Sequence, residues 1–282
     1  NRLKQNKDTI QLTVDKDIQF LIREELIKFN EIFRTKGSAA ILLNVNNGEI
    51  LSLVSLPDFD PNLRVNITDV NYINRVTKGV YELGSVFKTF TLAAGFHEGI
   101  IEPETEFKKL EKKLDCGKNT ISEYDKKIPS NLTAEQILIR SGNIGSVRIS
   151  QSLGIEKFKK FLNNLDLINP IKFDIEEIGV PIPFNWGKCK LATTSYGHGI
   201  TTTILQLANA YSIIVNGGYK ISPTLIKKNI YTQKEKILNN NVSEKINPIL
   251  RKIVTTKEGT ASLANIEGYE VGGKTGTAQK SI

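Results

Sequence analysis

One stretch of twelve residues restricts the fold of this chain more than any other. From Ser85 to Phe96 the sequence SVFKTFTLAAGF carries a single charge, Lys88. A helix that is apolar nearly all round belongs inside a protein, and a lysine is almost never fully buried without a partner. Lys88 follows Ser85 by three residues, which puts both side chains on one face, a turn apart. Burial disfavours the ammonium form and lowers the lysine pKa. A neutral amine beside a hydroxyl is a general base next to a nucleophile. The helix N-terminus adds backbone N–H groups where an oxyanion develops, and Gly84 permits a sharp turn just before it. Ser-x-x-Lys by itself arises by chance in a lysine-rich chain. Ser85 is nevertheless the only serine of this sequence with lysine three residues on, and its apolar setting sets it apart.

The pattern around this helix predicts a mixed α+β chain. With 282 residues it can bury roughly three quarters of its unfolded surface, as one domain or two. Residues 9–14 alternate like a strand, and Asp15 stands where an N-cap would for a helix to about Phe29. Two β-rich runs, 39–45 and 49–55, flank Asn46-Asn47-Gly48, a hairpin signal because such residues tolerate positive φ. Leu56–Asn62 is a turn-rich exit. From Ser85 to about Val215 the pattern is mostly helical, with capping boxes at Thr133/Gln136 and Thr203/Gln206. Gly142 and Gly145 predict a short loop over Ser141–Gly145, and Asn216-Gly217-Gly218 stops the helix begun near Thr203. Ser243 is the expected cap of a helix to about Thr256, and Tyr269–Gln279 reads as a glycine-rich strand. Residues 1–100 and 250–282 form the α/β part of this scheme, and 101–249 the mainly helical part.

Several classes of function drop out. The net charge is +8, but it comes from scattered lysine pairs interleaved with acids, and only eight of the 38 basic residues are Arg. No arginine-rich stripe with interleaved aromatics points to nucleic acid; the Lys, Asn and Ile bias reads as an AT-rich genome. No run of eighteen apolar residues could span a membrane, and no signal peptide is recognisable. The chain opens on Asn1 and has no Met, so it is expected to be a fragment or a processed form. Cys116 and Cys189 form no CxxC and no metal spacing with His97 or His198. Two buried or free thiols are the expectation, with a disulfide in an oxidising compartment left open; both histidines are expected to be structural.

Two further motifs complete the argument. Ser141-Gly142-Asn143 is the only Ser-x-Asn in the chain, and alone it reads as a helix-to-helix turn. Lys274-Thr275-Gly276-Thr277 sits near the C-terminus, where Gly276 lets another backbone approach closely. Gly268–Thr275 also fits the P-loop pattern, but only seven residues follow Thr275 and no phosphate-binding helix can form there.

Ser-x-x-Lys, Ser-x-Asn and Lys-Thr-Gly in this order resemble the signature of penicillin-binding proteins and serine β-lactamases. LPDFDPN (56–62), Asn74-Arg75, GVYELGSVFK (79–88), 132–145, 196–210 and 272–279 also look like blocks of that family, so the resemblance covers nearly the whole chain. Tyr81-Glu82-Leu83-Gly84-Ser85 and Ser195-Tyr196-Gly197-His198-Gly199 are most similar to division-specific class B penicillin-binding proteins, of an alphaproteobacterial type. Leu83 stands where many relatives carry Pro, and Gly142 where many carry Ser.

The resemblance implies an antiparallel sheet flanked by helices plus an all-helical subdomain. It also implies a sheet left incomplete at the C-terminus, with the N-terminal anchor and pedestal and the last strands and helix lying outside this sequence. The implied activity is that of a peptidoglycan D,D-transpeptidase with no cofactor and no metal. Ser85 is then the nucleophile and Lys88 its base. Ser141 relays protons, Asn143 holds Lys88 and the substrate backbone, and Lys274 keeps Lys88 neutral. Lys274, Thr275, Gly276 and Thr277 bind the substrate carboxylate and strand, and the N–H groups of Ser85 and Thr277 form the oxyanion hole. Implied partners are stem peptides, β-lactams, and a membrane glycosyltransferase and division proteins reached through other regions. The implied place is the periplasmic side of a bacterial inner membrane. A serine β-lactamase or a β-lactam sensor domain is the alternative, the first distinguished by a water-activating base that the sequence does not reveal, the second by flanking signalling segments.

Overall fold

Asp15 begins the ordered architecture as its position suggests. In the computed structural model, which describes residues 9–60, 62–63, 72–117, 119–228 and 235–279, the Asp15 carboxylate accepts from the N–H groups of Asp17 and Ile18 and caps α1 (Lys16–Phe33). The helix runs past Phe29 and ends at Arg34, which takes a left-handed φ of 50°. β1 (Ser38–Leu43) and β2 (Ile50–Leu56) then form the expected antiparallel hairpin, in register from Ser38 opposite Leu56 to Leu42 opposite Ser52, with a one-residue shift before Leu43 opposite Ile50. Gly48 turns with φ +80°, and a Cβ there would lie 2.3 Å from the Ser222 carbonyl oxygen. Along β2 the burial alternates strictly, with Ile50, Ser52, Val54 and Leu56 inward, the period-two pattern of a half-buried strand. Gln19 locks α1 onto this strand. Its Nε2 donates to the Leu53 carbonyl, and its Oε1 accepts from Leu53 N–H and Ser52 Oγ, all at 2.8 Å.

Residues 9–14 do not form the predicted strand. They make one isolated bridge, Leu12 to Ile226, with flanking bonds from Thr13 N–H to the Leu225 carbonyl and from Lys227 N–H to the Gln11 carbonyl. The alternation alone does not make a ladder, and among the described residues the pairing stays at this single bridge. The exit at 56–62 leaves regular structure as expected, with Pro61 outside the described residues.

Between the hairpin and the helices lies β3 (Val80–Tyr81). After α2 (Lys88–His97) come β4 (Glu106–Phe107), β5 (Lys113–Cys116), β6 (Asn119–Ser122) and β7 (Leu132–Thr133). The helices α3 (Ala134–Ile139), α4 (Asn143–Leu153), α5 (Ile155–Asn164) and α6 (Lys188–Thr194) follow, then β8 (Thr202–Thr203), α7 (Ile204–Val215) and α8 (Asn240–Thr255). The short strands pair as β3 with β8, β4 with β7 and β5 with β6. Both predicted capping boxes are present, opening α3 and α7. The glycines after α7 end it as expected, with Gly218 N–H on the Ile213 carbonyl.

α2 is the hub. Every residue from Lys88 to Phe96 is buried, and α3, α4, α5 and α8 pack around it. Phe87, Phe90, Leu92 and Phe96 share one core with Ile137, Leu138, Ile144, Ile149 and Leu162. Each such side chain contributes about 1.5–3 kcal/mol by leaving water.

Three local expectations change. Ser243 does not cap α8; Asn239 precedes the helix, and the Ser243 hydroxyl lies inside it, accepting from Gly217 N–H and donating to the Ile214 carbonyl. Asn239 holds the cap position without a side-chain cap bond, its Nδ2 donating instead to the His97 carbonyl, and the Ser243 hydroxyl stitches two helices together. Tyr269–Gln279 carries no ladder. Instead Gly273 N–H bonds the Leu250 carbonyl and Arg251 Nη1 bonds the Val271 carbonyl, so the end of α8 takes backbone groups that a neighbouring strand would otherwise pair. Cys116 and Cys189 form a disulfide, with Cα atoms 5.3 Å apart, rather than two thiols. They are 73 residues apart in sequence, and nothing local could disclose their proximity.

The disulfide ties the β5–β6 hairpin to α6 across a long loop, so its loss frees the unfolded chain. Cys189→Ser is expected to lower the unfolding free energy by about 2–4 kcal/mol, measured by urea denaturation of the oxidised wild type beside the variant. Equal midpoints and slopes would contradict this contribution.

Candidate active site

Ser85 lies half-buried on a four-residue 3-10 turn, Gly84–Phe87, that leads directly into α2. The tighter turn replaces the α-helical start expected from the sequence. In 3-10 geometry residues three apart eclipse, which favours the pairing of Ser85 with Lys88 more strongly than an α-helix does. Lys88 N–H bonds back to the carbonyls of Ser85 and Val86. Gly84 has φ +58°, and a Cβ there would lie 2.1 Å from the Thr277 carbonyl oxygen and 3.2 Å from its nitrogen. Glycine is required both by the turn and by the close approach.

Lys88 is 1% exposed. Its Nζ donates to the Ser141 backbone carbonyl and, at 3.0 Å, to Ser141 Oγ. Burial, reinforced by the charge of Lys274 and opposed by that of Glu123, brings its pKa down from 10.5 to about 7. A base near neutrality is suited to accept a hydroxyl proton.

Ser141 adopts φ +59°, an uncommon backbone state for a residue with a side chain. The connection between α3 and α4 is shorter than predicted, because α4 starts at Asn143. Gly145 belongs to α4, where a Cβ would come within 2.5 Å of the Ile137 side chain; close helix packing, not a loop, explains that glycine. Asn143 does not hold Lys88. Its Nδ2 donates to the Ser122 carbonyl at 2.8 Å, so the grip on Lys88 comes from Ser141.

Lys274 is partly buried, and burial lowers its pKa from 10.5 to about 8. Its Nζ donates to the Thr275 carbonyl at 2.8 Å, while Thr275 Oγ1 donates to Thr260 Oγ1. A Cβ on Gly276 would meet the Leu83 carbonyl at 2.4 Å. The segment around Gly276 and Thr277 therefore runs along the turn that bears Ser85, with the Thr277 backbone against Gly84, the residue before Ser85. From the other side comes Gly197, whose Cβ would lie 2.0 Å from the Gly84 carbonyl oxygen. Thr91 of α2 holds this loop through the Ser195 carbonyl at 2.7 Å.

Sequence reasoning assigned no role to four neighbours. Glu82 pairs with His198 at 3.4 Å, and the Tyr196 ring stacks on His198; burial pushes the Tyr196 phenol up. Both rings lay in a recognised glycine-rich block, so they were visible as residues but not as a cluster. His97, by contrast, is structural as expected, tied to Asn239 and packed on Phe161. Glu123 accepts from the N–H groups of Asn143 and Ile144 at the start of α4. It precedes Asn143 by twenty residues in no regular pattern, and no sequence signal marks it.

The model of the penicillin-binding protein transpeptidase domain matches residues 38–281. The chain belongs to this family. Among relatives of the transpeptidase domain, a probable peptidoglycan D,D-transpeptidase FtsI of Caulobacter vibrioides is 34% identical over 96% of this chain and 46% of that protein. The stage V sporulation protein D of Bacillus subtilis is 31% identical over 96% of this chain and 44% of its own length. The chain thus spans about half the length of these two relatives. Among solved structures, the transpeptidase domain of Burkholderia pseudomallei penicillin-binding protein 3 superposes with a TM-score of 0.85 at 27% identity, covering 96% of this chain and 78% of that one. A peptidoglycan glycosyltransferase from Burkholderia ambifaria matches with the same TM-score at 26% identity, over 96% and 82%. The fold is therefore the mixed helix-and-sheet fold of penicillin-binding transpeptidase domains, as the motifs implied.

Within this transpeptidase domain the charge of Lys274 adds to burial in lowering the Lys88 pKa. Lys274→Ala removes a cation beside Lys88, so the Lys88 pKa is expected to rise from about 7. Carbon-13 NMR titration of lysine Cε resonances measures it; an unchanged or lower value would show that Lys274 does not act on Lys88.

Proposed function

We propose that this chain is the catalytic domain of a peptidoglycan D,D-transpeptidase of septal cell-wall synthesis. The observation that carries the reading is Lys88, buried one turn after Ser85, held by Ser141 and left with a pKa of about 7. Ser85 Oγ attacks the carbonyl between the two terminal D-alanines of a stem peptide, and Lys88 accepts the hydroxyl proton. The tetrahedral oxyanion lies between the backbone N–H groups of Ser85 and Thr277. As it collapses the peptide C–N bond breaks, and the departing D-alanine amine takes a proton delivered through Ser141 from Lys88. The amine of a second stem peptide then attacks the acyl-serine and gives up a proton to Lys88; the ester C–O bond breaks, and Ser85 Oγ takes that proton back, which regenerates both groups.

In this scheme Lys274, Thr275 and Thr277 receive the donor carboxylate, and Asn143 borders the substrate backbone. Thr277–Gln279 are exposed and outside any ladder, which leaves their backbone free to pair with the peptide by strand addition. β-Lactams acylate Ser85 by the same attack. Residues 1–100 and 250–282 would form the α/β part and 101–249 the helical part that together enclose the site. A membrane glycosyltransferase and division proteins are the partners expected through other regions of the protein. The Cys116–Cys189 disulfide supports a place on the oxidising, periplasmic side of a bacterial inner membrane. Among the described residues no helix is long and apolar enough to cross a membrane.

Incubation with a fluorescent penicillin followed by mass spectrometry tests the proposal. The wild type is expected to gain one penicilloyl group on Ser85 that persists for hours, and Ser85→Ala none. An adduct lost within seconds points instead to a β-lactamase, and an adduct elsewhere removes Ser85 from its role. Lys88→Ala is expected to slow acylation by about 10²–10⁴-fold, the usual worth of a general base. A rate near wild type would exclude Lys88 as that base.

A further inference from the structure

We propose that Glu123 is a positioning residue for this site: its carboxylate caps α4 and thereby fixes the Ser141 connection that grips Lys88. The proposal rests on the roles given above to Ser85 and Lys88. A helix start leaves backbone N–H groups without intrahelical partners, and the residue at the cap of α4 is Gly142, which makes no side-chain cap. Glu123 supplies what Gly142 lacks. Its Oε2 accepts from Asn143 N–H at 2.6 Å and its Oε1 from Ile144 N–H at 2.9 Å. An anion at this end of a helix is also favoured by the helix dipole.

The residue before it joins the same joint, since the Ser122 carbonyl accepts from Asn143 Nδ2 at 2.8 Å. Two consecutive residues at the end of β6 are thus docked on the first residues of α4, two positions after Ser141. Ser141 itself is in the left-handed region, a state that persists only where the surroundings over-determine it. The hairpin that delivers Glu123 is itself anchored, because Cys116 at the end of β5 is bonded to Cys189 of α6. The chain after α6 is bonded in turn to α2 through Ser195 and Thr91. Glu123 therefore reaches α4 from a body fixed to the same helix that bears Lys88.

The carboxylate has a second, separable effect. Lys274 and Glu123 are the two charged groups that act on Lys88, with opposite signs. Removing Glu123 takes away the anion that favours the protonated amine, so Lys88 loses its proton at lower pH.

The test is the pH profile of acylation by a fluorescent penicillin, measured for the wild type, Glu123→Ala and Glu123→Gln, with thermal melting in parallel. Glu123→Ala is expected to lower the plateau rate about tenfold or more and to shift the acid limb to lower pH. Glu123→Gln keeps an acceptor but not the charge. It is expected to show the same shift with a smaller loss of rate, and it retains the test if the alanine variant does not fold. Plateau rates within twofold of wild type in both variants, or an acid limb that stays in place in both, would overturn the role. A wild type that fails to label at Ser85 refutes the reading of the site instead, whereas normal wild-type labelling with unaltered variants refutes only the part assigned to Glu123.

Discussion

The whole arrangement hangs on one charged group placed at the start of a buried, apolar helix. Lys88 is buried in the helix that carries much of the main core, and among the described residues its amine hydrogen-bonds to Ser141. An isolated ammonium at such a depth is costly, and burial brings the Lys88 pKa down to about 7. The cost of burying Lys88 and its fitness as a base are one effect seen twice. Core packing therefore has a catalytic meaning here: the burial of α2 that stabilises the fold also lowers the Lys88 pKa.

Three remote parts of the chain close around that amine and the neighbouring hydroxyl. The α3–α4 connection brings Ser141, the C-terminal segment brings Lys274 to Thr277, and the loop after α6 brings Gly197 and His198. Backbone contact rather than a continuous sheet joins two of these walls to the Ser85 turn. The disulfide and the Glu123 cap belong to the same pattern of long-range ties, each fastening a small element to the helical core.

The parts of this design that depend on local chemistry were legible in the sequence. The Asp15 cap, the Asn-Gly hairpin, both capping boxes and the apolar helix with its lone lysine all express interactions within a few residues. The three motifs and their order disclosed the family. What escaped is non-local. Glu123 and Asn143 are joined by hydrogen bonds across the chain, and the cysteine pair closes a long loop. Whether residues 9–14 and 269–279 become strands depends on a partner edge that their own alternation cannot specify. Gly145 misled for a related reason: a glycine that admits a neighbouring helix looks, in one dimension, like a glycine that breaks one.

Gly84 shows how narrow the tolerances are. Its position is pressed by the Thr277 carbonyl on one side, while its own carbonyl is pressed by Gly197 on the other. A single methyl group there would act as a wedge, parting walls contributed by widely separated stretches of the polypeptide and widening the slot around the reactive hydroxyl. Residue 84 thus serves as a spacer of minimum thickness, and alterations in either wall can be accommodated only by matched adjustment of the other.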